Sequence, residues 1–362
     1  MRAAERNEFH ADHYKGSKRG SSFDNPDRAA QKIEKVHSQE IKMQTKMIPR
    51  RENQMKNMTT LGRVSDRVND LSMNCHDNLV KVEDISFYSL ETVRLANEPH
   101  FLRPMAQQSA ACRLGIPIHY LRKCPPEVQA YNMNHWIQKE KNEELFFRFD
   151  GGEVRAIFTP RYRPVDNFEV MEKLDSLGYG PDTQVQCHLD AEFMLVSILD
   201  GTHAFSVNGD RMTPGVSISN SEVGLASLSI AAFVLRLVCT NGMISKTEVS
   251  ASYRHVSLKI LNEFPKVLDN VSLELGKQKD QFRISRESKV ENPLMTIESF
   301  NRQFQVGEKE REAVEWGWNQ EPGNTMFHVV NAYTRAAQFE GMSAEASYRL
   351  QKVGGMVLGM VK

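Results

Sequence analysis

The chain has 362 residues, of which 40% are hydrophobic, 25% charged and 8% aromatic. These are globular proportions and exclude collagen-like, coiled-coil and fully disordered chains. Lys and Arg total 46, and so do Asp and Glu, which excludes a histone-like or tail-driven nucleic-acid binder but not a local basic groove.

At roughly 150 residues per domain the length fits one large domain or two. The first 15 residues are polar with no apolar run, so no secretory signal is expected there. The most apolar run, Leu225 to Val238, spans 14 residues, too short to cross a bilayer. Cys75, Cys112, Cys124, Cys187 and Cys239 are scattered and form no CxxC pair. Neither a disulfide framework nor a cysteine-rich zinc site is indicated, and a cytoplasmic protein with reduced thiols is expected.

Residues 1–75 read as a polar leader, poor in β-branched and aromatic residues. Residues 1–70 hold 15 Lys and Arg against 10 Asp and Glu, so the remainder is net acidic, 31 against 36. Such a leader cannot bury enough apolar surface to fold alone and is expected to be disordered. Its functional reading is an arm that touches nucleic acid. Met58 offers an alternative start that would make the leader dispensable.

From Asn78 the pattern changes. Leu79 to Phe87 alternates as a strand does. Pro104 to Leu114 reads as a short helix closed by Gly115, and Cys124-Pro-Pro-Glu opens a second helix running to about Lys141. Leu145 to Asp150, Gly151-Gly152 and Glu153 to Thr159 form a hairpin signal. Asp166-Asn167 caps a helix over Phe168 to Leu177. Strands follow over Gln184 to Leu199 and Gly215 to Ser219. Leu225 to Val238 is apolar almost all round, and the pattern predicts a buried helix there, with Asn220 or Ser221 as its cap. Beyond Ser252 helices are expected at about 257–283, 294–305, 308–318, 325–339 and 343–360. The fold class is thus α+β: an antiparallel β-β-β-α type core over 76–250, then a helical extension over 251–362 packed on it.

The sequence holds no GxxxxGK[ST], GxGxxG, HExxH or GxSxG, so the common nucleotide, zinc-protease and esterase motifs are absent. His188, Asp190 and Glu192 alternate and form a polar stripe. The stripe reads as the wet face of a strand rather than a metal site, since a third ligand is missing, and no metal, cofactor or catalytic residue is assigned. Cys124, at a helix start, reads as structural.

One cluster stands above this background. Arg148, Arg155, Arg161 and Arg163 fall within sixteen residues, with Phe146, Phe147, Phe149, Phe158 and Tyr162 among them. Arginine forks bind phosphates and stack on bases, and aromatics supply π-faces. Arg148, Arg155, Arg161, Tyr162 and Arg163 are therefore the candidate nucleic-acid-binding residues. A solvated hairpin face over a phenylalanine core is the plainer reading.

Four stretches carry a family resemblance: Leu114-Gly-Ile-Pro with Tyr120-Leu-Arg, Arg161-Tyr-Arg-Pro with Asp166-Asn, Ile218-Ser-Asn-Ser-Glu-Val-Gly, and Leu235-Arg-Leu-Val-Cys-Thr-Asn-Gly-Met. Together they resemble the phage/plasmid-like family known as domain of unknown function 932, over roughly residues 79–360. That resemblance implies a mobile genetic element and no settled activity. The order of elements from Asn167 onward is also similar to the core of the Rad-type single-strand annealing proteins. This implies an oligomer of the ring-forming kind that holds single-stranded DNA in a basic groove.

The function expected is therefore single-stranded DNA binding and annealing by a phage or plasmid homo-oligomer acting in recombination, without bond chemistry. The alternatives are an accessory protein-interaction factor, for example in counter-defence, and an enzyme using the His188, Asp190 and Glu192 stripe.

Overall fold

The computed structural model describes residues 54–207, 209–236, 241–244, 251–253 and 275–361. Their strands form two sheets. The first, of eight strands, runs β1 (Met55–Thr60), β8 (Gln184–Leu189), β9 (Met194–Leu199), β11 (Asp210–Asn220), β12 (Leu228–Arg236) and β13 (Asn241–Ile244). In it β10 (Phe205–Val207) pairs with β11, and β14 (Ala251–Tyr253) with β12. The second, of six, runs β2 (Cys75–Lys81), β6 (Glu144–Asp150), β7 (Glu153–Phe158), β5 (Glu98–Leu102), β4 (Thr92–Leu95) and β3 (Ile85–Phe87). The β5–β7 pairing is parallel. The hairpin expected around Gly151-Gly152 is β6–β7.

The first sheet is covered on both faces. One face packs against α1 (Leu61–Ser72) and α5 (Asn167–Ser176) through Val64, Val68, Val170, Leu174, Cys187, Val196, Ile218 and Ile230. The other carries Phe193, Leu195, Ala231, Phe233 and Leu235. It lies under α10 (Ala344–Leu358), which supplies Ala344 and Tyr348. Alternate residues of β12 thus enter different cores.

This corrects the reading of Leu225 to Val238 as a helix. A short run apolar on every side suits a fully buried strand as well as a buried helix, and periodicity alone cannot separate them. The β-branched and aromatic residues of Leu228–Arg236 fit the pleat. Burial on both faces of a covered sheet then decides it. With the helix gone, the expected β-β-β-α order ends on a strand, while the α+β class stands.

The leader boundary also moves. Residues 1–53 lie outside the described residues, but β1 and α1 occupy 55–72. β1 pairs along its whole length with β8, from Met55 opposite Leu189 to Thr60 opposite Gln184. Leu61, Val64 and Val68 recur on one face of α1 and are buried, a pattern hidden by the polar residues around them. Met58 sits inside β1, not at a domain edge.

Three further helices pack on the second sheet or follow its strands, α2 (Pro104–Arg113), α3 (Ile118–Leu121) and α4 (Pro126–Ile137), while α5 stands at the junction with the first sheet. α5 begins where expected, with the Asp166 N–H donating to Glu169 Oε2 at 2.7 Å in a capping box.

The C-terminal helices are α6 (Leu275–Glu287), α7 (Pro293–Gln303), α8 (Glu308–Gln320), α9 (Met326–Ala336) and α10. The last four match the expected helices. For the first, 257–274 lies outside the described residues and α6 runs four residues past the expected end. Their core holds the buried Tyr333, whose hydroxyl donates to the Ile297 carbonyl at 2.9 Å. No helix among the described residues is long and apolar enough to cross a membrane.

Candidate nucleic-acid interface

The five candidate residues separate into an interior pair and an exposed turn. Arg148 on β6 and Arg155 on β7 are 3% and 4% exposed. Arg148 donates from Nε to Asp77 Oδ1 at 3.0 Å, from Nη1 to the Glu222 carbonyl at 3.0 Å, and from Nη2 to Asp166 Oδ1 at 2.5 Å. Arg155 donates from Nη2 to Glu222 Oε2 at 2.7 Å and from Nη1 to Cys75 Sγ at 2.9 Å. The other Glu222 oxygen accepts from the Asn167 N–H at 2.8 Å.

These bonds join the second sheet to the β11–β12 connection and to the start of α5. Both arginines are therefore spent on holding the two sheets together and present no fork to a phosphate. Charge density in sequence misled because the neutralising carboxylates lie 71, 18 and 67 residues away. Burial raises the Asp166 carboxyl, against the pull of Arg148. It also pushes the Tyr162 hydroxyl up to about 12 and the Cys75 thiol upward.

Arg161 and Arg163 are exposed in the turn after β7. Tyr162 between them points inward, its ring stacked on Phe158 at 3.9 Å and 8°. Phe158 in turn covers Gly224, whose φ of +85° and contact with that ring leave no room for a side chain. So the cluster divides as a pleat divides, tyrosine in and arginines out.

The stripe of His188, Asp190 and Glu192 is not a wet strand face. His188 is fully buried beneath α10, its Nε2 accepting from Gln351 Nε2 at 3.2 Å. Burial, aided by nearby Lys56, lowers its pKa to about 3. Asp190 lies in the β8–β9 turn, where Oδ1 accepts from the Phe193 N–H at 2.9 Å and Oδ2 from the Ala344 N–H at 2.9 Å, at the start of α10.

A different surface, missed in the sequence, has the chemistry sought in the arginine cluster. α4 buries Met133 and Ile137, and Asn134 fixes it to the second sheet by exchanging two hydrogen bonds with the Phe87 backbone, at 2.7 and 2.8 Å. Its outer face carries Tyr131, 72% exposed, and Trp136, 44% exposed. Tyr131 stacks on His135 one turn later, centroids 6.3 Å apart and planes 17° apart. Trp136 meets His135 edge-on at 5.3 Å. Lys139 Nζ lies 4.6 Å from the Trp136 ring centroid and 2.9 Å from His135 Nε2.

Tyr120, at the end of α3, is 46% exposed, and its hydroxyl meets Cys124 and Asn132. Arg122 and Lys123 follow it and are exposed; Glu127 is the acid a turn before Tyr131. The available signal was Tyr131 and His135 at i and i+4, with Lys139 at i+8, on a helix whose buried face falls elsewhere.

No curated protein and no solved structure matches the chain. The model of the family described as Domain of unknown function (DUF932) matches residues 155–353, more than half of the chain, which therefore belongs to that family.

Proposed function

We propose that this protein binds single-stranded nucleic acid and brings complementary strands together, as a cytoplasmic DNA-recombination factor of a phage or plasmid, without making or breaking bonds. The observation that carries the reading is the α3–α4 face. It combines the exposed rings of Tyr120, Tyr131 and Trp136 with Arg122, Lys123 and Lys139, on a chain with no overall positive charge to bind duplex indiscriminately. Aromatic platforms flanked by cations bind single strands because every base offers a π-face. Arg161 and Arg163 are exposed and add phosphate contacts. The family match begins at residue 155, so it includes this turn and lies C-terminal to α3–α4.

Leu228–Arg236 of the most apolar run is a strand buried on both faces and offers no surface for a homo-oligomer. Support for self-association comes from β2, which among the described residues stands at the end of the second sheet with Leu79 exposed.

A second reading, a protein-interaction factor, is favoured by the same rings, since exposed Tyr and Trp also anchor protein interfaces. Fluorescence anisotropy with a short single-stranded oligonucleotide, followed by native mass with and without it, separates the two. Salt-sensitive binding and a mass increase are expected, and complementary strands should anneal faster with the protein present. Absence of binding at low ionic strength would overturn the nucleic-acid reading.

A further inference from the structure

We infer that α4 grips a single strand by its bases rather than by its phosphates, an inference that rests on the nucleic-acid reading of this face. Tyr131 and His135 already form one step of a stack, 6.3 Å and 17° apart. Tyr131 is largely exposed beyond that step, so an incoming base extends the stack along the direction His135 began. Trp136 stands perpendicular to His135 and offers a second surface around the corner of the helix.

The charges are arranged differently from a phosphate track. Lys139 is drawn over the Trp136 ring and against His135, where it favours an electron-rich π-system. Arg122 and Lys123 are exposed directly after Tyr120, with Glu127 between them and Tyr131 along the chain. Arg122, Lys123 and Lys139 release about three counterions from a single strand, so this surface contributes roughly 2 to the salt slope, beside what Arg161 and Arg163 add. Affinity beyond that must come from the rings. A duplex hides its base faces in the stack, so this surface selects single strands, and with little regard to base identity.

The test compares a short oligothymidylate with an abasic oligomer of the same phosphate count, each titrated against the full chain. The account expects the abasic oligomer to bind at least about tenfold more weakly, the range that loss of a stacked base produces. Tyr131→Ala and Trp136→Ala should each weaken oligothymidylate binding about tenfold and leave abasic binding unchanged, while Tyr131→Phe and Trp136→Phe restore it. Equal affinity for the two oligomers overturns base gripping and leaves the nucleic-acid reading standing. Binding of neither oligomer overturns both, as does capture of a protein partner through these rings with no nucleic-acid affinity.

Discussion

Arg155 Nη2 donates to Glu222 Oε2 across 2.7 Å with both side chains almost wholly buried, and through this bond β7 of one sheet is tied to the β11–β12 connection of the other. Removing one partner leaves a charge in the interior, at a cost of about 3–5 kcal/mol. Arg155→Met and Glu222→Gln should each lower stability by that order in chemical denaturation. The double variant should lose clearly less than the two added, because neither charge is left alone. Simple additivity would show that the two residues do not act as a pair.

Arg161→Ala with Arg163→Ala should behave in the opposite way. Both side chains are exposed, so the melting temperature should hold. If both touch phosphates, the salt slope of oligonucleotide binding falls by about 1.4. A stable double variant with unchanged slope would remove this turn from the interface.

How the cluster divided shows what was legible. The β6–β7 hairpin, the Asp166 capping box and the helices from Pro293 onward follow from local signals: Gly-Gly at a turn, Asp with Glu169 three residues on, apolar residues at helical spacing. Arg148 and Arg155 did not reveal their burial, because their partners come from Asp77, Asp166 and Glu222 and meet them only when the sheets pack. β12 is not legible as a strand because, buried on both faces, it has no alternation to show. Val64 and Val68 of α1 were lost in the polar composition around them, which describes residues 1–75 on average and this helix not at all.

The docking of β1 gives a truncation test. Starting the chain at Met58 removes half of the β1–β8 ladder, the Gln54 bond to the Met342 carbonyl and the Lys56 bond to the Phe339 carbonyl. A fall in melting temperature of about 5 °C or more is expected, well beyond an exposed-surface change. An unchanged melting curve would show that β1 contributes nothing to the fold.

His188 sets a pH dependence. Its folded pKa is about 3 against an ordinary 6.5. As pH falls through 6.5 the unfolded chain takes a proton that the folded chain refuses. Stability from this site is full above pH 6.5 and declines below it, by up to about 1.4 kcal/mol per pH unit. In His188→Gln that share of the decline should vanish, so the gap between wild type and variant narrows by about 2 kcal/mol between pH 6.5 and 4.5. A constant gap would mean that His188 titrates normally in the folded protein.

Gly215 of β11 faces the Ile198 carbonyl of β9, and a Cβ there would collide with that backbone oxygen. Backbone in the middle of a sheet yields poorly, so Gly215→Ala should cost about 1–3 kcal/mol. A neutral substitution in thermal denaturation would show that β9 and β11 can separate at no cost.

The claim that α4 is the contact surface is tested most directly by its own tryptophan. The chain has three tryptophans; Trp318 is buried, Trp316 packs edge-on against Phe339, and Trp136 is the exposed one. Titrating the full chain with a single-stranded oligonucleotide should quench tryptophan emission in step with binding, and Trp136→Phe should abolish the quench while the variant still binds. Binding that leaves wild-type emission unchanged, or a quench that survives in Trp136→Phe, would place the strand elsewhere and contradict the account.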